Sequence, residues 1–533
     1  MSEKQFRVLI CDGLVPEGLA IFENEPNFEV HNQVGISRQA LLETIPSCDA
    51  VIIRSATQID KEVLEAGKRL KVIARAGVGV DNVDITSSTR RGIVVMNAPS
   101  GNTTSAAEHT MALMLSLLRN VPQSDAKMRG GGWDRNGYIG KEAFGKTLGI
   151  IGLGRIGRTV AKRAQAFEMR TIGCDPFASA ESAAADGIEL VDQEVLFGSS
   201  DIITLHTPLT DDTEGLINRE RLAKTKKGVF IVNTARGQLV VEDDLAEALK
   251  SGHVAGAALD VFQSEPPKSS PLIGLANVIT TPHLGASTDE AQANVGIMVA
   301  EQVIDALLER EVRNAVNMPS LDSETQRVLG PYIDLADKLG QFVAQLVKGK
   351  ISRIEVHCQG AITKENITPI TTGATRGVIS TLMPDAVNFV NAPILAEMQG
   401  LCVETSQRSE AAGFTNLVKV TLETGEQKLS ASGTVFEGRE DPRIVMVDDY
   451  VVEARPFGDL LVVRNEDKPG VVGLVGTVLA ENGINISGMS LGPDRDQPWA
   501  LEIINVDQPV PADVINTLNQ SELILSARSV RIN

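Results

Sequence analysis

Apolar residues in the first third of the chain fall in short dense runs, separated by polar stretches with helical spacing. The runs predict buried strands over 7–12, 50–54, 71–75 and 92–96, with helices over 16–24 and from 60 onward. Strands this uniformly apolar are covered on both faces, so the first unit reads as an open α/β sheet. A long apolar helix over 104–119 leads into a second series of strands at 146–151, 170–174, 201–206, 228–233, 256–260 and 278–281. Helix-rich sequence over 288–310 follows. The composition shifts near 313–323, and a helical segment to about 350 and a mixed region to about 450 come next. The last stretch orders strand, helix, strand, strand, helix, strand over 460–464, 471–481, 484–491, 499–506, 511–519 and 524–531. A βαββαβ order gives a four-stranded sheet with helices on one face, a common ligand-binding or pairing module.

The strand over 146–151 runs into Gly152-Leu153-Gly154-Arg155-Ile156-Gly157 and then a helix over 158–167. This spacing of glycines allows a tight bend, close approach of the backbone to a pyrophosphate, and close packing of helix on strand. The helix N-terminus adds free N–H groups and a positive dipole end. The next strand ends in Asp175, where a carboxylate accepts hydrogen bonds from an adenosine ribose. With all these parts in register the segment predicts a dinucleotide site. An acid at that place repels a 2′-phosphate, so the cofactor is NAD rather than NADP.

At 533 residues the chain exceeds a single core and predicts about three or four domains. A formal charge of −19 argues against nucleic acid as the partner, while small anionic substrates need only a local group of arginines. No apolar run reaches the roughly 18 residues of a membrane span. The first residues lack the apolar core and cleavage site of a signal peptide, so the expectation is a cytoplasmic protein. Cys11, Cys48, Cys174, Cys358 and Cys402 are scattered, which predicts neither a structural metal nor a disulfide framework.

Ligands in open α/β sheets sit beyond the C-terminal ends of the strands, so the candidate chemistry is sought there. Arg54 and Ser55 follow one strand, and Arg75 opens Arg75-Ala76-Gly77-Val78-Gly79 after another. Hydride exchange with NAD needs a group to exchange the substrate's proton, and histidine suits it. Of six histidines, His31 and His253 read as surface residues, His357 lies outside both α/β units, and His109 reads as a packed, hydrogen-bonded residue of the apolar helix. His206 heads His206-Thr207-Pro208-Leu209, a turn placed to touch the cofactor. His283 ends a strand and opens a loop, and it is the strongest acid/base candidate. A carboxylate on its ring would orient it and stabilise the imidazolium. Glu265, in a proline-stiffened loop, is either that partner or an exposed loop acid. Arg236, also at a strand end, is either a bidentate carboxylate ligand or a surface arginine.

Asn233-Thr234-Ala235-Arg236-Gly237, Glu265-Pro266-Pro267 and Thr281-Pro282-His283-Leu284-Gly285, in that order, resemble the D-isomer-specific 2-hydroxyacid dehydrogenases. Arg75 to Asp84 and Asn97-Ala98-Pro99-Ser100-Gly101-Asn102 are similar to that family too, and the resemblance covers roughly the first 315 residues. Asp385 to Pro393 resembles the intervening domain of the family's long-form members that act on 3-phosphoglycerate, and Asn465 to Gly473 the start of an ACT domain.

The resemblance implies a flavodoxin-like substrate domain from residues 1–98 and 288–315, and a Rossmann-type NAD-binding domain over 99–287. An α+β intervening domain over 316–456 and a βαββαβ ACT regulatory domain over 457–533 would follow. It implies oxidation of 3-phospho-D-glycerate to 3-phosphohydroxypyruvate at the start of L-serine biosynthesis. His283 would take the hydroxyl proton with Glu265 behind it, and Arg236 would grip the carboxylate and the developing carbonyl. Arg54, Ser55, Arg75, Gly77, Val78, Gly79 and Asn102 line the implied substrate side, with Arg135 a candidate contributed by a neighbouring subunit. Beside Gly152, Gly154 and Gly157, the implied cofactor side holds Arg155, Ile156, Asp175, His206, Thr207, Thr234, Asp260, Gly285 and Ala286. Asn465, Asp467 and Asn485 match positions through which related ACT domains bind serine. Asp467 departs from the amide common there and puts serine inhibition in question. The implied assembly is a homodimer or homotetramer.

Two other functions fit parts of the chain. One is a dehydrogenase for a different D-2-hydroxy acid, against which the arginine-rich substrate side and the two C-terminal domains stand. The other is an NAD-sensing interaction protein, since corepressors share the dehydrogenase fold.

Overall fold

The computed structural model describes residues 6–319, 323–384, 387–410, 413–436, 441–494 and 497–532, with two residues of the intervening-domain motif, Asp385 and Ala386, outside them. The first sheet joins β1 (Phe6–Ile10), β2 (Phe28–Asn32), β3 (Ala50–Ile53), β4 (Val72–Arg75) and β5 (Val94–Asn97) in the order β2-β1-β3-β4-β5, all parallel. This is the flavodoxin-like order. The helix Asp289–Leu307 returns to this sheet and buries Val295, Val299, Val303 and Ile304 in its core. Asn314 then accepts a hydrogen bond from the Asn97 N–H at 3.2 Å. The first unit is therefore assembled from two separate parts of the chain.

The second sheet holds β6 (Thr147–Ile151), β7 (Arg170–Cys174), β8 (Glu189–Leu190), β9 (Ile202–Leu205), β10 (Val229–Asn233), β11 (Val254–Leu259) and β12 (Val278–Thr280). Its order is β12-β11-β10-β9-β6-β7-β8, again all parallel, a doubly wound Rossmann-like sheet. The strand order reverses at β6, the strand that feeds the glycine turn. The apolar helix Thr103–Leu118 covers one face through Met111, Met114, Leu117 and Leu118.

The third sheet contains β13 (Ile351–Gly360), β14 (Cys402–Arg408), β15 (Asn416–Thr424), β16 (Lys428–Phe436), β17 (Asp441–Val447) and β18 (Tyr450–Ala454). Only its β13–β14 pair is parallel. Helices Ser323–Leu346 and Thr368–Leu382 pack on it. The fourth sheet, β19 (Gly458–Glu466), β20 (Ile486–Pro493), β21 (Trp499–Val506) and β22 (Ile524–Ile532), is antiparallel in the order β20-β21-β19-β22. Its own helices Val471–Glu481 and Ala512–Asn519 cover one face. On the other face Leu460, Val462, Leu501, Ile503, Val530 and Ile532 join the core of the third sheet. The Gln345 amide fastens the junction, bonding the Arg531 carbonyl at 2.8 Å and its N–H at 3.0 Å.

Several elements differ from the sequence expectation. The edge strand β2 was not expected, because its Glu29, His31 and Asn32 dilute the apolar signal on a strand paired on one side only. Helix Val121–Arg129 buries none of its residues, so it has no apolar stripe to read. The glycine-turn helix begins at Arg155 rather than 158. Among the described residues no helix is long and apolar enough to cross a membrane.

Candidate active site

The three glycines of the turn do three different things. Gly152 takes φ 95°, and a side chain there would come within 2.6 Å of the His206 carbonyl, so the first glycine lets β6 meet the end of β9. A Cβ on Gly157 would overlap the Gly152 carbonyl oxygen, so the third glycine lets the helix sit on the turn. Gly154 caps the helix Arg155–Ala166, and nothing lies within 4 Å of where its Cβ would stand. The middle glycine thus opens space at a helix N-terminus, as a pyrophosphate requires. Asp175 accepts hydrogen bonds from the Leu153 N–H and the Phe177 N–H, both at 2.8 Å, one on each oxygen. Each oxygen keeps a lone pair for a ribose hydroxyl. These residues fit a dinucleotide with an unphosphorylated adenosine ribose. Ile156 is half-buried on the core and Arg155 stays exposed.

Around this turn the cofactor-side candidates divide. The His206 ring turns back to Thr204, with Nε2 at 2.9 Å from Oγ1, and burial pushes it down to about 3, so it is neutral at physiological pH. Its backbone, with that of Thr207, forms the wall facing Gly152. The Thr234 hydroxyl is 2.7 Å from the Thr110 hydroxyl. Asp260, expected on the cofactor side, is fully buried, and its carboxylate is used by the following loop. One oxygen accepts from Thr281 Oγ1 at 2.6 Å and the Leu284 N–H at 2.7 Å, the other from the Gly285 N–H at 2.8 Å. Burial raises its pKa, but hydrogen bonds from His109, Thr281 and Leu284 outweigh that and hold it below the usual value. Ala286 continues the loop, half-buried.

That loop carries His283. Its N–H donates to the Asp260 carbonyl at 2.9 Å, and its φ is 57°. A left-handed conformation costs a non-glycine residue about 1–3 kcal/mol, offset here by the bonds that Asp260 makes to the loop. The payoff is orientation: Nδ1 lies 2.8 Å from Glu265 Oε2, and both side chains are about two-fifths exposed, open to a ligand. Glu265 is therefore the partner carboxylate and not a free loop acid. Burial raises the Glu265 pKa, but the hydrogen bond and charge of His283 and the Phe262 N–H prevail and hold it below the ordinary range.

Three arginines form a second group. Arg236 follows β10, where the buried Asn233 side chain bonds the Arg236 carbonyl at 2.8 Å and the Ala235 N–H at 3.0 Å. From there its Nε reaches Asp81 of the first unit at 2.7 Å, and its Nη1 the Ala235 carbonyl at 2.7 Å. Arg236 is thus a bridge between the two α/β units and not a surface arginine. Side chains at Gly79 and Gly77 would overlap the guanidiniums of Arg236 and Arg75, so these glycines are the pads on which the two arginines lie. Burial, with the nearby Arg236 and Arg54 against Asp81 and Asp12, pushes Arg75 down to about 10, still charged at neutral pH. Its Nε is buried with no partner among the described residues. Such a crowd of cations calls for an anion.

Two residues not singled out in the sequence build this wall. Asp12, at the end of β1, accepts from the Arg54 N–H at 2.6 Å and from the Thr57 N–H and hydroxyl at 3.1 and 2.5 Å. The Asn82 amide bonds the Arg54 and Thr57 carbonyls at 2.7 and 2.6 Å. Together they fix the turn that presents Arg54 and Ser55. Asn97 likewise holds the Val78 carbonyl at 2.5 Å. Asn102 stands at the N-terminus of helix Thr103–Leu118, its Oδ1 buried and unpaired among the described residues. Arg135 is exposed after the Val121–Arg129 helix. In the fourth sheet Asn465 is buried, its Nδ2 on the Glu466 carbonyl at 2.7 Å and its Oδ1 unpaired, while Asp467 and Asn485 are exposed.

Three family models match the chain. The D-isomer specific 2-hydroxyacid dehydrogenase NAD binding domain matches residues 111–285, the D-3-phosphoglycerate dehydrogenase intervening domain 328–448, and the ACT domain 460–522. The chain is 41% identical to the D-3-phosphoglycerate dehydrogenase of Archaeoglobus fulgidus over 99% of its own length and 100% of that protein's. It is 43% identical to that of Mycobacterium leprae over 95% and 96%, and 38% identical to that of Bacillus subtilis over 98% and 99%. Among solved structures it resembles a glyoxylate reductase from Paecilomyes thermophila, with 30% identity, TM-score 0.55, and coverage of 58% of this chain and 98% of that one. It also resembles a D-lactate dehydrogenase from Aquifex aeolicus complexed with NAD and lactic acid, with 27% identity, TM-score 0.53, and coverage of 59% and 100%.

Proposed function

The chain belongs to the D-3-phosphoglycerate dehydrogenase family, and from that premise we propose how it oxidises 3-phospho-D-glycerate to 3-phosphohydroxypyruvate, the first step of L-serine biosynthesis. Two observations support the reading: the His283–Glu265 pair at the strand ends of the NAD-binding unit, and the cluster of Arg54, Arg75 and Arg236. Gly152, Gly154, Gly157 and Asp175 hold NAD, which when bound accepts the hydride leaving C2. His283 Nε2 takes the proton of the C2 hydroxyl, so that oxygen keeps the electron pair that becomes the carbonyl bond. Glu265 on Nδ1 sets the tautomer that leaves Nε2 free and stabilises the imidazolium. Arg236 binds the substrate carboxylate and polarises the C2 oxygen. Arg54 and Arg75 take the phosphate, the group that separates this substrate from glycerate or lactate. Because Arg236 reaches Asp81 in the other unit, closure of the cleft and assembly of the site are one motion.

The C-terminal module takes L-serine through Asn465, Asp467 and Asn485, and the unpaired Asn465 Oδ1 supports a ligand from that side. The working enzyme is a cytoplasmic homodimer or homotetramer, for which the exposed Trp133 and Ile139 supply apolar surface. The test is kcat/KM for 3-phosphoglycerate, D-glycerate and D-lactate with NAD, with and without serine. Preference for an unphosphorylated acid overturns the substrate assignment, and a rate indifferent to serine overturns the regulatory one.

A further inference from the structure

We infer that His109 is a positioning residue for the proton-transfer loop, acting through Asp260 rather than on substrate. The inference rests on the reading of His283 as the proton-transfer residue. His109 lies on helix Thr103–Leu118, one layer behind the loop. Its Nε2 is 3.1 Å from Thr281 Oγ1 and 3.2 Å from Asp260 Oδ1, and the side chain is 19% exposed. Thr281 in turn donates to the same Asp260 oxygen at 2.6 Å. The group is a buried carboxylate shared by an imidazole, a hydroxyl and two loop N–H groups.

The backbone at His283 is anchored on that carboxylate's residue. Asp260 takes the His283 N–H on its carbonyl, and the N–H groups of Leu284 and Gly285 on its side chain. These three consecutive amides are what maintain the left-handed turn at His283. A buried carboxylate is ionised only while its hydrogen bonds outweigh its lost solvation. Without His109, Asp260 loses one of the bonds that keep it an acceptor. A protonated carboxyl carries a hydrogen on one oxygen and holds the loop amides less well. The turn then relaxes, and the His283 ring leaves the geometry that Glu265 fixes.

The same helix touches the site twice more. Ser105 Oγ donates to the Gly285 carbonyl at 3.0 Å, and Thr110 Oγ1 is 2.7 Å from Thr234 Oγ1, two residues before Arg236. Ser105 and His109, four residues apart, share one helical face, and Thr110 lies about 100° around the helix from His109. The one helix thus keys the proton-transfer loop and the Arg236 turn to a single rigid element. The loss is therefore expected in turnover and not in substrate affinity, because the phosphate and carboxylate ligands stand on other segments.

The test uses the full-length enzyme with 3-phosphoglycerate and NAD. His109→Leu fills the space without a donor, whereas His109→Gln keeps an N–H donor at similar reach. The expectation is that Leu lowers kcat about tenfold or more with KM for 3-phosphoglycerate within about threefold, and that Gln restores kcat to within about threefold. An unchanged kcat in the Leu variant, a Gln variant as impaired as Leu, or a loss confined to KM overturns the inference. Should the Leu variant not fold, Gln against His109→Asn decides, since Asn is too short to reach Asp260: an active Gln and impaired Asn supports it, and equal activity overturns it. His283→Ala is assayed alongside. If that variant keeps its turnover, the reading of the site itself fails. If it is inactive while the His109 variants match wild type, only the role of His109 fails.

Discussion

The guanidinium of Arg236 lies on the backbone of Gly79 so closely that even a methyl group at residue 79 would overlap Nη2. The two residues belong to different α/β units, and the Arg236–Asp81 ion pair at 2.7 Å holds the contact. The contact between the two units is thus set by a distance that only glycine permits.

Gly79→Ala should therefore displace Arg236 without disturbing the core, since residue 79 is half-buried in a loop outside the strands. The expected result is a fall in kcat/KM of about 10–100-fold, as for ångström-scale misplacement of a substrate ligand, with Tm unchanged. Steady-state kinetics beside a thermal melt checks it. Wild-type kinetics in the variant would remove Arg236 from the substrate side.

The glycine turn makes a contrast testable within one motif. Gly154 has extended backbone and open space, so Gly154→Ala should melt like wild type without cofactor yet lose most of the stabilisation that NAD confers. Gly157→Ala drives a Cβ into the Gly152 carbonyl and should cost about 1–3 kcal/mol before any NAD is added. Melts of both variants with and without NAD separate the two roles. Equal behaviour would mean that the middle glycine is not a cofactor contact.

Asp175→Ala should raise the Kd for NAD and shrink the preference over NADP by about tenfold or more. The ratio of kcat/KM for the two cofactors is the readout, and an unaltered ratio would place the discriminating charge elsewhere.

Glu502 gives a pH dependence of known sign. It is fully buried on β21, both its oxygens lack a partner among the described residues, and loss of solvation pushes it up to about 7 from 4.5. A group whose folded pKa is raised stabilises the fold fully below its unfolded value, and that stability is lost as pH rises through the folded one. Hydrogen exchange in β21, corrected for the intrinsic rate, should accordingly quicken between pH 5 and 8. Glu502→Leu should remove that slope and slow exchange at pH 8 by about tenfold, the equivalent of about 1–3 kcal/mol for an unpaired buried polar group. Parallel pH profiles in the two proteins would contradict the assignment.

Much of the site was legible because its parts lie near one another in sequence and at strand ends. Gly152, Gly154, Gly157 and Asp175 belong to one βαβ unit, and Glu265 and His283 close two neighbouring strands of one sheet. What pairs across the molecule was not legible. Asp81, 155 residues from Arg236, sits in a stretch that drew notice through its arginine and glycines. Asp12 works 42 residues from the turn it holds, and nothing local distinguishes it from any strand-end acid. The bonds of Asp260 to the Leu284 and Gly285 amides depend on a loop path that periodicity does not reveal. The third sheet was unreadable for a different reason. The face away from its helices carries Glu355, His357 and Lys419, so its strands lack the apolar density that marked the first two sheets.

His283, held by Glu265 on one side and Asp260 on the other, is assigned the proton transfer, with NAD bound independently at the glycine turn. The decisive experiment is kcat for His283→Ala with 3-phosphoglycerate and NAD, beside the Kd for NAD. The expected result is a fall in kcat of about 10² or more with NAD affinity near normal; turnover at the wild-type rate would remove His283 from the proton transfer.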